Sequence, residues 1–114
     1  MKSILSNYTE HLKISKNLSF KNYDSLHKWS IDNISDFWES IVTFFNIEFH
    51  KKPKLTYRFN KNFIDTEWFL DSEISYCKNV FRNIKHNYPA IKYCNENEVY
   101  TEISWNSLAQ KKNE

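Results

Sequence analysis

The residues best suited to metal or nucleophilic chemistry are four histidines and two cysteines, and none stands in a pattern that would use them. His11, His27, His50 and His86 are isolated from one another. No His-Glu-x-x-His or Cys-x-x-Cys pair occurs, and Cys77, His86 and Cys94 are spaced unlike any common zinc pattern. Asp65 with Glu67, and Asp71 with Glu73, are neighbouring carboxylates, but acids on a loop or at a helix start usually cap and stay solvated. That is a poor setting for a general acid–base pair. Glycine is absent, where an average chain of this length has about eight. Without it the backbone cannot approach a nucleotide closely, which excludes Walker-type and dinucleotide-binding loops and the Gly-x-Ser-x-Gly elbow. No catalytic residue, no cofactor-binding residue and no metal ligand is therefore expected in this chain.

What the chain has instead is aromatic surface. Of its 114 residues 40% are apolar, below the roughly 45–50% of globular proteins, yet 18% are aromatic. The length suits one domain. The net charge of +2 and the short cluster Lys51-Lys52-Pro53-Lys54 read as a solvated loop, not as a nucleic-acid or anionic-membrane surface. Aromatics among the lysines of Lys54–Lys61 could stack on single-stranded nucleic acid, but they suit a strap with buried rings and solvated lysines better. No apolar run approaches the roughly 18–20 residues of a membrane span, and the start lacks the character of a secretory signal. Two cysteines suit a reducing cytoplasm, so a cytoplasmic protein is expected.

The elements that must hold these aromatics follow from periodicity. Ile4, Leu5, Tyr8, Leu12 and Ile14 predict a first helix over Ile4–Ser15. Asn22 caps a second through Trp29, with Tyr23, Leu26 and Trp29 in a narrow seam. Asn33 is expected to cap the strongest helix, Ile34 to about Asn46. Its apolar band of Ile34, Phe37, Trp38, Ile41 and Phe45, widened by Val42 and Phe44, calls for burial on more than one side. From Glu48 to Glu67 regularity fails, apart from a strand-like alternation at Tyr57 and Phe59, and the stretch reads as a strap with aromatic anchors. Trp68-Phe69 then leads into a helix capped by Asp71 or Ser72, with Ile74, Cys77, Phe81 and Ile84 on its apolar face, ending near Asn87 before Pro89. Ala90–Cys94 and Val99–Ser104 form a hairpin, and Ser104 caps a last helix from Trp105. The fold class is α+β: a mainly helical N-terminal region with a long irregular strap, then a β-hairpin and a short C-terminal helix. Residues 1–89 read as one region and 90–114 as a second.

The order of these pieces resembles a known family. Asn22-Tyr23-Asp24-Ser25-Leu26-His27-Lys28-Trp29-Ser30 is followed by Asp36-Phe37-Trp38, then by Trp68-Phe69 with Ser75-Tyr76-Cys77-Lys78-Asn79, and finally by Thr101-Glu102-Ile103-Ser104-Trp105-Asn106-Ser107-Leu108. The series is similar to the N-terminal region of the acetyl-CoA synthetase-like, AMP-forming acyl-CoA ligases, and within them to acetoacetyl-CoA synthetase more than to acetyl-CoA synthetase. The chain departs from the family at the helix after the Trp-Phe pair, which there begins with a glycine-containing turn. Here Asp71 or Ser72 takes that place, and Ser75, Cys77 and Lys78 replace Asn, Ala and Glu, while Tyr76 and Asn79 remain.

The resemblance implies a role for the chain that its own residues do not reveal. Members of the family are several times longer, use ATP and CoA, and keep their phosphate loop, ribose-holding acid and catalytic lysine beyond the region matched here. It implies a truncated N-terminal fragment of an acetoacetate–CoA ligase-like enzyme, an acid–thiol ligase of lipid metabolism, inactive alone. Trp38, Trp68, Phe69 and Trp105 would be docking anchors, and the partner a separate chain carrying the adenylation core. The hairpin and last helix match the start of that core. The alternative is a small cytoplasmic protein- or nucleic-acid-interaction module.

Overall fold

A computed structural model describes residues 2–82 and 84–112. The chain packs as two compact units, Met1–Ser75 and Tyr76–Glu114. The first carries helices α1 (Ile4–Lys16), α2 (Tyr23–Asp32) and α3 (Ile34–Phe44) and strands β1 (Phe49–Lys51), β2 (Leu55–Arg58), β3 (Glu67–Leu70) and β4 (Glu73–Ile74). The second carries α4 (Tyr76–Arg82), β5 (Ile91–Cys94), β6 (Tyr100–Ile103) and α5 (Trp105–Lys112). This is the α+β class that the periodicity predicts. Among the described residues no helix is long and apolar enough to cross a membrane.

Local chemistry sets the helix ends. Ser3 caps α1 by accepting from the Ser6 N–H at 3.1 Å. The helix closes at Asn17, whose φ of 54° is left-handed, with the Leu18 N–H donating back to the Leu12 carbonyl at 3.2 Å. In a chain without glycine, asparagine is the residue that enters this region at least cost. Asn22 and Ser25 form a reciprocal capping box on α2, each side-chain oxygen accepting from the other's N–H at 3.0 and 3.2 Å. Asn33 departs from expectation: it makes no side-chain bond to α3. Its amide donates instead to the Trp29 carbonyl at 3.1 Å, so its side chain finishes α2, while its backbone carbonyl accepts the Phe37 N–H at 2.9 Å and opens α3.

The core of the first unit lies where α1, α2 and α3 meet. Tyr8, Leu12 and Leu26 are buried there, walled by Leu18, Phe20, Trp29, Phe37, Ile41 and Phe44. Ile4, Leu5 and Ile14, expected on the same side of α1, are exposed, because only the Tyr8–Leu12 stripe faces a neighbour. A polar pair crosses this core. The Ser40 hydroxyl donates to the Phe37 carbonyl at 2.7 Å, which leaves the Tyr8 hydroxyl to donate to Ser40 Oγ at 2.6 Å. Burial pushes the Tyr8 phenol above its ordinary range, partly offset by the Ser40 hydrogen bond and the Lys16 charge.

The strap expected over Glu48–Glu67 is in fact strand-bearing. β2 pairs antiparallel with β3, setting Leu55 against Leu70, Tyr57 against Trp68 and Arg58 against Glu67. A 3-10 turn, Phe63–Asp65, lies between them. β1 pairs with β4, Phe49 opposite Ile74. These pairings join segments distant in sequence, which period counting along one segment cannot see. They also overturn the early start of the helix after Trp68-Phe69. Glu73 and Ile74 are drawn into β4, so α4 begins only at Tyr76 and has left the helix by Ile84. Cys77, expected on its packed face, is an exposed free thiol, as is Cys94.

In the second unit the expected hairpin forms, and the structure supplies its register. Ile91 opposes Ile103 and Tyr93 opposes Thr101, placing Thr101 and Ile103 on one face, while Val99 lies just before the strand. The Asn95 side chain accepts from the N–H groups of Asn97 and Val99 at 3.1 and 3.2 Å, holding the turn. Ser104 caps α5 by accepting from the Ser107 N–H at 3.1 Å.

Candidate docking face

α3 presents two apolar stripes, one turned into the core and one away from it. Phe37, Ile41 and Phe44 recur at helical spacing and wall the core. Trp38, Val42 and Phe45 follow one residue later, about 100° round the helix. The β2–β3 hairpin meets this second stripe. Trp38 and Trp68 pack edge to face with centroids 5.7 Å apart, and the Tyr57 ring lies 4.7 Å from that of Trp68. Such ring pairs contribute about 0.5–1.5 kcal/mol beyond the area they bury. Even so, Trp38 stays 38% and Trp68 44% exposed. The three rings form an aromatic seam with one side open to solvent.

Hydrogen bonds and charges hold this seam in place. Thr56, buried between Leu55 and Tyr57, donates its hydroxyl to Glu39 of α3 at 3.0 Å. Arg58 pairs with Glu67 directly across the hairpin. Phe69 turns to the other side of β3 and packs 5.7 Å from Phe49. There the pair lines an open groove with Val42, Ile47, Pro53 and Thr56.

The four aromatic residues singled out by sequence thus occupy three places. Trp38 and Trp68 are in contact, Phe69 lies beside them against Phe49, and Trp105 belongs to the second unit, where its ring stands 6.0 Å from Phe81. Trp105, Phe81, Val80, Leu108 and Ile91 line an open cleft of about 570 Å³. Tyr57 and Phe49 complete the first-unit surface. Their spacing in the sequence does not name their partners, which only the strand pairings reveal. Among the described residues no group of three His, Cys, Asp or Glu side chains could hold a metal ion.

The chain exposes more surface than its mass calls for. Two compact bodies of these sizes would expose about 8,000 Å² together, whereas this chain exposes 9443 Å². Exposed large side chains include both tryptophans of the seam.

Residues 23–80 match the acetyl-coenzyme A synthetase N-terminus family, half of this chain, and the chain belongs to that family. The matched span contains Trp38, Trp68 and Phe69 but stops short of Trp105. More particularly, the chain is similar to acetoacetyl-CoA synthetases. It is 29% identical over 96 residues to that of Macaca fascicularis, covering 82% of this chain and 14% of the other. To that of Danio rerio it is 30% identical over 67 residues, covering 58% and 10%. The acetoacetyl-CoA synthetase from Streptomyces lividans shares its fold, with a TM-score of 0.73 at 18% identity over 92% of this chain and 17% of that one. The chain therefore spans about a seventh of the length of the curated relatives it matches.

Proposed function

We propose that this chain is the N-terminal packing segment of an acetoacetate–CoA ligase, and that it docks on a nucleotide-binding body which does the chemistry. The observation that carries the reading is the half-open Tyr57–Trp68–Trp38 seam. Large rings, already ordered by contact with one another, lose little conformational freedom when a second surface covers them. Aromatic anchors of this kind dominate interface energetics. Trp38, Trp68 and Phe69 serve as the anchors of the first unit, and Trp105 that of the second.

The reaction assigned to the assembled ligase has two steps. The carboxylate of acetoacetate attacks ATP to give an acyl-adenylate and pyrophosphate. The CoA thiol then displaces AMP from the acyl carbon and leaves a thioester. No residue of this chain has a role in either step. Its glycine-free backbone offers no cradle for a triphosphate, so ATP and CoA are assigned to the body. The contribution of this chain is to cover an apolar surface of that body and to hold it in working shape.

The test is complementation. An acetoacetyl-CoA synthetase lacking the segment that corresponds to this chain is purified with and without it. Complex formation and ATP-dependent thioester formation from acetoacetate are then measured. The expected result is a stable complex with restored ligation. A body that neither binds the chain nor gains activity from it sinks the proposal.

A further inference from the structure

Two residues at the end of β3 sit in a backbone region that glycine enters freely and other residues enter at a cost. Phe69 has φ 47° and Asp71 φ 58°. The Ser72 N–H donates to the Phe69 carbonyl at 3.0 Å, closing a four-residue turn with Asp71 third. In turns that need a positive φ at that position the usual occupant is glycine or asparagine. An aspartate there is tolerated, but nothing intrinsic holds it.

Lys54 reaches the turn twice. Its backbone N–H donates to the Leu70 carbonyl at 3.0 Å, and its Nζ stands 2.6 Å from Asp71 Oδ2. Both contacts grip residues at or beside the Leu55–Leu70 pair. Trp68 lies opposite Tyr57 in the same register. A slip of one residue would turn Trp68 to the other face of the hairpin.

We propose that Lys54 is a positioning residue: it locks Asp71 in the left-handed conformation and so sets the strand register that presents Trp68 to Trp38. The docking role above explains what the presented ring is for, and the lock rests on that reading only to this extent.

Amide hydrogen exchange on the whole chain reads the lock at the Ser72 N–H. Lys54→Gln should speed exchange there about threefold, the scale of an exposed ion pair. Asp71→Ala should speed it about tenfold, since alanine resists a positive φ. Asp71→Gly should leave it unchanged or slower, because glycine needs no lock. The decisive variant combines Lys54→Gln with Asp71→Gly and should show no further rise. The circular-dichroism couplet of the Trp38–Trp68 pair should weaken in Lys54→Gln and persist in Asp71→Gly. Three results overturn the proposal: an unprotected Ser72 amide, no response to Lys54→Gln, or an equal response to it alongside Asp71→Gly. All are read without the ligase body, so failed complementation would leave this result standing, and the reverse.

Discussion

The two units handle a shortage of core in different ways. Met1–Ser75 encloses Tyr8, Leu12 and Leu26 among three helices and adds a buried hydroxyl pair and a buried threonine. Tyr76–Glu114 buries no side chain fully among its described residues. Its best-covered groups, such as Val80, Phe81, Trp105 and Leu108, are half-buried. It consists of a two-stranded hairpin, which is marginal alone in water, and two helices shorter than the roughly 12–15 residues an isolated helix needs. The first unit has a nucleus of its own, and the second is amphipathic without one. An aromatic surface means something different in each. In the first it is a seam on a supported helix, whereas in the second it belongs to elements with no buried nucleus.

The sharpest way to break this contrast is to hollow out the supported core. Leu12 is wholly buried, at 0% exposure, and Leu12→Ala should cost the first unit about 3 kcal/mol. Leu108→Ala, on a half-buried position of the second unit, should cost well under half as much. Urea unfolding followed by hydrogen exchange separates the two. Comparable losses would remove the distinction between a supported and an unsupported unit.

Next in size is the seam. Trp68→Ala should weaken binding to the ligase body by about 2 kcal/mol, the scale of an interface anchor. The helical core should stay intact, since Trp68 is no part of it. Titration of the body with each variant, alongside helical circular dichroism, checks this. A Trp68→Ala chain that binds as well as the parent would move docking elsewhere.

A smaller effect comes from the buried pair. Tyr8→Phe removes one hydrogen bond and leaves Ser40 still bonded to Phe37, so a loss of about 1 kcal/mol is expected. The Tyr8 phenol holds its proton more tightly when folded. Its share of stability is therefore complete below the ordinary phenol range and is lost as pH rises through the folded value. Tyr8→Phe should flatten the alkaline arm of a stability–pH curve, and an unaltered arm would put that titration elsewhere.

The smallest effect is in acid. Lys54, by hydrogen bond and by charge, holds the Asp71 carboxyl below its usual range, with Lys51 and Arg58 adding to this. A depressed value means the contribution is present above the ordinary carboxylate range and is lost as pH falls through the depressed one. Asp71 is exposed, so the change should be confined to the hairpin. The Trp38–Trp68 couplet should fade in acid and become insensitive to acid in Asp71→Asn.

How much of this was legible in advance depends on the distance over which each feature is determined. Tyr8 and Leu12, four residues apart, announce a helix face, and Asn22 announces a cap. The alternation of Val99, Thr101 and Ile103 announces a strand. Trp38 and Trp68 could be singled out from their types and their place in the motif series. That Trp38 and Trp68 touch could not, because it requires β2 to pair with β3 and the hairpin to meet the outer stripe of α3. For the same reason nothing near Tyr57 in the sequence marks it as a member of the seam, and the helical spacing of Ile74 gives way to a strand when β1 pairs with it.

The sequence alone therefore determined the α+β class, the caps at Asn22 and Ser104, the hairpin segments, the family and the absence of any glycine-built phosphate cradle. Each is written in residue type or in spacing within one segment, where steric and hydrogen-bonding preferences act locally. Tertiary structure decided which face of α3 became core and which was left half-open, that Asn33 closes α2, and that Asp71 takes a left-handed turn under Lys54. Those outcomes depend on which distant segments arrive beside a residue, and no local preference carries that information.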